Sequence, residues 1–344
     1  MLSSTISEFG SICGETVYLY VLRNGTLTAS FLNYGATLLS FTAPDRNGTV
    51  EEITFNRKTL DDVFHKSDYF GSTIGRSAFR IKEGQLIIHG TKYQLATNSG
   101  RNHNHGGVKG FDKCMWTGSI EETEDRISVV FKRVSEDLEE GYPGRLNVCA
   151  VYSLTKDNSL EMTFTASGNA VPTVVNMTNH AYWNLSGNVK RTVDQHVLQI
   201  DSDAYLDGED MIPRDCPVSV EGSCMDFREP HMLSPAIERM DSDGRVGIDH
   251  AFILRSGFST PKQLRHVASL QDNESGRRID VSTTECALIV YTANWVEEYP
   301  HCAVCLEPGY YPDTPNHPSF PTSVLEPGQE YVHRTVFHFS VVQN

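Results

Sequence analysis

The residues of this chain whose types and spacing could do chemistry gather in five segments: GRSAFRI (75–81), NHNHGGVKGFDKCMW (102–116), NMTNHAYWNL (176–185), GIDHAFIL (247–254) and CLEPGYYPDTPNHPSF (305–320). The third belongs to a stretch that opens like a β-strand at Val174 and then crowds Asn176, Asn179, His180, Tyr182, Trp183 and Asn184 together. A core strand would alternate apolar and polar side chains instead. His180 is therefore either a polar core residue satisfied by hydrogen bonds or a group that moves protons. Glu307 follows the apolar run AVCL and precedes Pro308 and Gly309. A carboxylate there is either a solvated strand end or a base held by a rigid scaffold. Asp249 could equally anchor a turn.

His105 stands directly before Gly106 and Gly107, which let the backbone approach something closely. His103, His105 and His180 resemble a metal-ligand set, and alternate residues of a strand share a face. No dense Cys/His/Asp cluster accompanies them, so a hydrogen-bonding His105 is the preferred reading and no metal or cofactor is expected. The CxxC spacing of Cys302 and Cys305 lacks a partner pair and a βαβ context, which favours buried thiols. EEGYPGRL (139–146) reads as a tight structural turn, with Pro143 fixing φ and the glycines permitting positive φ.

The elements that must position these residues are mostly strands. In SLEMTFTAS, Leu160, Met162, Phe164 and Ala166 fall on one face and Glu161, Thr163, Thr165 and Ser167 on the other. LNVCAVYSL, ALIVYTANW and RTVFHFSVV are similarly strand-like, and GQLIIHGTKYQL predicts a hairpin turning near His89 and Gly90. Helical patterning is confined to RKTLDDVFHK and SPAIERM. Many strands joined by Gly, Pro, Asn and Asp turns, without βαβ alternation, predict a mainly β fold: a large antiparallel β-sandwich with few short helices, formed by residues 1–344 as a single domain.

Composition narrows the partners. The 344 residues are 39% hydrophobic and 21% charged, as in an ordinary globular protein with a substantial core. The net charge of −15 repels phosphate backbones and anionic membrane surfaces, so neither nucleic acid nor membrane is an expected partner. No secretory signal pattern opens the chain, and the eight cysteines are scattered, which reads as reduced thiols in the cytoplasm. The acidic run from Glu121 to Glu140 reads as a solvated edge.

Taken together and in this order, the segments resemble the aldose 1-epimerase (galactose mutarotase) family, from LNYGATLLSFTAPDRNG (32–48) to SVLEPGQEYVHRTVFHF (323–339). The resemblance implies the supersandwich of that family and an isomerase that opens and recloses a sugar hemiacetal without a cofactor. It implies Glu307 as the base and His180 as the acid. His105 then binds near the ring oxygen, Arg80 and Asp249 bind sugar hydroxyls, and Tyr182 and Trp183 form an aromatic wall. The expected partner is a small-molecule sugar, and the expected state is a monomer or homodimer.

Three positions depart from the family's usual pattern. Phe79 stands where the family has Asn before Arg, Ile289 where it commonly has Gln, and Gly309 where a further Gln often follows the catalytic Glu. The acid and base remain while hydroxyl-binding amides are lost. Alternatives are thus a related acid–base epimerase or cyclase for a less polar hemiacetal, or a non-catalytic sugar-binding protein on the same fold. Glycoside hydrolysis would need Asp249 to partner Glu307.

Overall fold

In the computed structural model, residues 1–65, 69–214, 216–242, 245–255 and 263–343 are described. Three main sheets account for the architecture. Their strands are β1 (Leu2–Ile12), β2 (Glu15–Asn24), β3 (Leu27–Leu32), β4 (Thr37–Pro44), β5 (Val50–Glu52), β6 (Thr117–Glu122), β7 (Arg126–Ser135), β8 (Leu146–Thr155), β9 (Ser159–Ser167) and β10 (Tyr182–Trp183). They continue with β11 (His196–Ile200), β12 (Ser202–Leu206), β13 (Val218–Ser219), β14 (His231–Met232), β15 (Asp249–Leu254), β16 (Arg265–Asp272), β17 (Arg277–Thr283), β18 (Ala287–Tyr291), β19 (Val304–Gly309) and β20 (Tyr331–Val341).

A five-stranded sheet runs β1 to β5 in order. The nine-stranded sheet has the order β6-β7-β8-β9-β20-β17-β16-β11-β14, and the six-stranded sheet β10-β19-β18-β15-β12-β13. The ladders are antiparallel, as the turn-rich sequence requires. β9 buries Leu160, Met162, Phe164 and Ala166 and leaves the intervening residues half-exposed. The hairpin of Gln85–Ile88 with Thr91–Gln94 turns at His89 and Gly90 as predicted.

The main core draws on all three sheets. Phe41 of β4 stacks on Phe339 of β20 at 4.2 Å between ring centroids, and Trp183 of β10 packs against Phe337 at 5.4 Å. The two helices, α1 (Leu60–His65) and α2 (Ser234–Arg239), fall in the two windows with helical patterning. Thr59 caps the first by accepting the Asp62 N–H at 3.1 Å. Among the described residues no helix is long and apolar enough to cross a membrane.

One buried cation fixes the segment on which the pocket will depend. Arg76, only 2% exposed, donates from Nη2 to Ser135 Oγ (2.6 Å) and the Glu136 carbonyl (3.0 Å). From Nη1 it donates to the carbonyls of Pro143 (2.9 Å) and Gly144 (2.8 Å), in the GYPG turn read from the sequence as structural. Burial lowers its pKa to about 10, so the guanidinium remains charged at neutral pH. Arg76→Met strands these carbonyls without a donor. It should cost about 3 kcal/mol in a urea titration, and a loss under about 1 kcal/mol would show that the turn is held by other contacts.

Candidate active site

Glu307 does not end its strand. β19 continues to Gly309, and Glu307 pairs with Ile289 of β18, which in turn pairs with Ala251 of β15. Directly paired residues project to one face, so Glu307, Ile289 and Ala251 form a row across three strands. A second row two residues along contains Tyr182, Cys305, Tyr291 and Asp249. Except for Cys305, all of these residues line a cavity of about 440 Å³, together with Phe79, Arg80, His105 and His180.

His180 enters from the β10 side. Its backbone N–H donates to the Ser72 carbonyl at 3.0 Å, and its own carbonyl accepts from Gly71 at 2.9 Å. Its ring lies between Tyr182 (4.9 Å between centroids, 15° between planes) and Tyr69 (6.0 Å, 16°). Nε2 stands 3.5 Å from Glu307 Oε1. The two side chains are 6% and 2% exposed, and His180 Nδ1 and Glu307 Oε2 are buried without a hydrogen-bond partner. Burial, with Asp249 adding, holds the Glu307 carboxyl well above the ordinary carboxylate range. Burial pushes the His180 imidazole down to about 3. Desolvation disfavours the charged form of each and so favours the shared proton on the carboxyl.

His105 reaches the same cavity because Gly106 turns the chain sharply at φ +87°. A Cβ on Gly106 would fall 1.9 Å from the Gly75 carbonyl oxygen, so the close approach that the glycines permit is to the protein's own backbone. His105 Nδ1 accepts the Phe79 N–H at 3.3 Å, which assigns the ring proton to Nε2. Burial, then the neighbouring His180 and Arg80, depress its pKa well below the usual value, so it is a neutral donor. Arg80 is placed by pairing of its backbone with Asn104.

Two sequence expectations change. Trp183 faces the opposite side of the sheet from Tyr182 and is fully buried among Phe41, Phe337 and Phe339, because successive strand residues alternate faces. It is no part of the aromatic wall. His103 does not converge with His105: its strand stops at Asn104 and His105 turns away at φ +50°. Both His103 nitrogens are engaged, by the Ala96 carbonyl (2.7 Å) and the Tyr142 hydroxyl (2.5 Å).

The cation donors that do cluster are His180, Cys305 and Glu307, whose ligand atoms lie within 4.8 Å of one another. Burial keeps the Cys305 thiol protonated and hence a poor ligand, and Cys302 is likewise free and buried. The sequence reading missed Tyr69, Tyr291 and Trp295, all lining residues. Tyr291, two residues after Ile289 in a strand, carried a period-two signal. Tyr69 carried none.

Two of the three departures from the family pattern, Phe79 and Gly309, are physically linked. Phe79 and Ile289 line the cavity, and a Cβ on Gly309 would sit 2.7 Å from Phe79 Cε2 and 3.0 Å from Asn176 Oδ1. The ring of Phe79 thus occupies the space a side chain at 309 would need.

Antiparallel sheets carrying a buried carboxylate–imidazole pair in an aromatic-lined cavity define a β-sandwich protein with a site suited to proton transfer. A sequence model of the aldose 1-epimerase family matches residues 18–338. The galactose mutarotase of Bos taurus is 35% identical over 99% of this chain and 100% of its own length. The aldose 1-epimerase of Escherichia coli K12 is 34% identical over 95% of this chain and 96% of its own. Among solved structures, galactose 1-epimerase from Lactobacillus acidophilus superposes with a TM-score of 0.86 at 24% identity, covering 100% of both chains. An aldose epimerase homologue from C. elegans gives 0.84 at 25% identity, over 99% of this chain and 100% of that one. The chain belongs to the aldose 1-epimerase family.

The contact between Phe79 and Gly309 makes a stability prediction. Gly309→Ala should cost about 1–3 kcal/mol by overpacking, and part of that cost should vanish when Phe79→Ala is already present. A double-mutant cycle in urea is expected to show a coupling of at least about 1 kcal/mol, whereas additivity within about 0.5 kcal/mol would mean that the ring is not the obstacle.

Proposed function

We propose that the protein is an aldose 1-epimerase that interconverts the α and β anomers of a free aldose such as glucose or galactose. The observation that carries this reading is the buried pair in one cavity, with Nε2 of His180 3.5 Å from Oε1 of Glu307. The step starts from the ionised form of the pair, with the shared proton moved from Glu307 to His180; Glu307 then takes the proton of the anomeric hydroxyl while His180 delivers one to the ring oxygen. The bond from C1 to the ring oxygen breaks and leaves an open-chain aldehyde. Rotation about the C1–C2 bond exposes the other face of the carbonyl, and both proton transfers reverse as the ring recloses.

The proton distribution that burial favours, neutral imidazole beside carboxylic acid, is the one reached after ring opening. The intermediate therefore does not strand two charges in a desolvated site. His105 Nε2 supplies a further donor near the ring oxygen. Arg80 and Asp249 hold hydroxyls, Tyr182 gives the sugar an aromatic face, and Phe79 and Ile289 complete the binding wall. The whole chain acts as one domain in this reading, supported by a core drawn from all three sheets. It works in the cytoplasm as a monomer or homodimer, with the sugar as its partner; the free state of all eight cysteines is compatible with a reducing compartment.

Polarimetry of freshly dissolved α-D-glucose and α-D-galactose tests this directly. The wild-type protein should speed the decay of rotation, and Glu307→Gln or His180→Asn should each lower kcat by about 10²- to 10⁴-fold with the fold intact. Unchanged rates in either variant would remove that residue from the mechanism.

The pH profile follows from the same burial. The reaction needs one proton on the pair. His180, lowered to about 3, accepts a second proton only in strong acid, while Glu307, raised by burial, gives up the last one only above the ordinary carboxylate range. The profile of kcat/KM should thus be bell-shaped with an acid limb well below about 6.5, the unperturbed histidine value. An acid limb at that value would assign control to a solvated histidine instead.

A further inference from the structure

The row that holds Glu307 also sets which carbon of the sugar meets which side chain. This inference rests on the epimerase reading and adds a substrate class to it. His180, two residues before Tyr182 of β10, meets Glu307 from the β10 side, and Ile289 of β18 lies on the other side, followed by Ala251. The anomeric carbon C1 carries both oxygens that exchange protons with the pair, so it must sit over the gap between His180 and Glu307. Its two ring neighbours are the ring oxygen and C2, on opposite sides of it. With the ring oxygen directed to His180, C2 is directed away from it, across β18 and onto Ile289 and Ala251.

Both of those side chains are aliphatic, line the cavity and are nearly buried, at 5% and 3% exposure. Neither can donate to or accept from a hydroxyl. Asp249 belongs to the other row, opposite Tyr291. A hydroxyl on C2 would lose its water against Ile289 without a replacement from this wall. A hydrogen there would lose nothing. We infer that the site is built for 2-deoxyaldoses, accelerating them in preference to the parent sugars that carry a C2 hydroxyl.

The size of the preference is bounded by what an apolar wall can do. A pocket lined by aliphatic groups rejects an added hydroxyl by up to about 10²-fold. The comparison is kcat/KM for 2-deoxy-D-glucose against D-glucose and 2-deoxy-D-galactose against D-galactose, by NMR exchange between anomers with the uncatalysed rates subtracted. The deoxy sugar should be favoured about 10-fold or more in both pairs. Ile289→Gln, which supplies an amide to the C2 position, should move the ratio about 5-fold toward the parent sugars, since a hydrogen bond contributes about 1 kcal/mol. Ile289→Leu should leave the ratio where it is and guards against a general effect of repacking.

Parent sugars favoured by the wild-type protein, or ratios unmoved by Ile289→Gln in a folded variant, would overturn the inference while leaving the epimerase activity standing. A folded wild-type protein that accelerates none of the four sugars would overturn both.

Discussion

A carboxyl on a sheet strand and an imidazole brought against it from a neighbouring loop, both withdrawn from water, are the constraint on which the rest of this structure depends. Burying either as an ion costs several kcal/mol unless it is paired and hydrogen-bonded. Here the backbone ladder of β19 with β18 leaves Glu307 no freedom to swing into solvent. Two other buried histidines show how a structural role is usually satisfied: His103 bonds through both nitrogens, and His333 meets the Met177 carbonyl at 2.8 Å and Thr335 Oγ1 at 2.7 Å. His180 Nδ1 and Glu307 Oε2 have no such partners. The pair stays half-satisfied by protein groups, which leaves His180 Nδ1 and Glu307 Oε2 open to a ligand with hydroxyls.

Holding such a pair requires that its flanking loops be rigid, and the asparagines that crowd the His180 segment perform that task. Asn179 Nδ2 donates to the Gly71 carbonyl at 2.7 Å, tying the His180 backbone to the segment that also carries Tyr69. Asn176 bridges the Ala78 carbonyl (3.3 Å) and the Tyr310 N–H (3.1 Å), joining the Phe79 loop to the end of β19. Asn184 fastens the far end to the Cys302 carbonyl at 2.6 Å. These amides replace strand pairing where the chain makes only two-residue ladders, so the polar density of the segment is mostly backbone support. Of its side chains, His180 and Tyr182 alone line the cavity.

Period two exposed the strands, because alternation needs only one buried face; β9 and β20 were legible for that reason. The same rule, applied one residue further, separates Tyr182 from Trp183. The burial of Glu307 was hidden by Pro308 and Gly309, which read as a break. In the fold β19 passes through both, because beyond Cys305 it has lost its β10 neighbour and a missing N–H is tolerated on an open edge. The stacking of Tyr69 on His180 joins residues about a hundred positions apart, and no local pattern encodes such a contact. Family motifs located the cavity's charged residues, while the coupling of Phe79 to Gly309 needed coordinates.

That coupling shows how chemistry and selectivity are separated in this site. Glu307 is fixed in the register of the six-stranded sheet, while His180 is held beside it by backbone hydrogen bonds to Ser72 and Gly71. The groups that face the rest of the sugar come from elsewhere: Phe79 from a loop at φ +66°, Ile289 from the adjoining strand, and Gly309 from the strand end. A non-glycine residue in the left-handed region carries a backbone cost of about 1 kcal/mol, and asparagine tolerates that conformation better than phenylalanine. The ring at 79 offsets this cost by filling the space above Gly309. Exchanging an amide pair for a ring and a glycine alters the wall of the cavity without touching the proton path. On the proposed mechanism such a site can keep its reaction while its preferred sugar changes, because Glu307 and His180 would fix where the anomeric carbon sits and the neighbouring side chains would decide what can be attached to it.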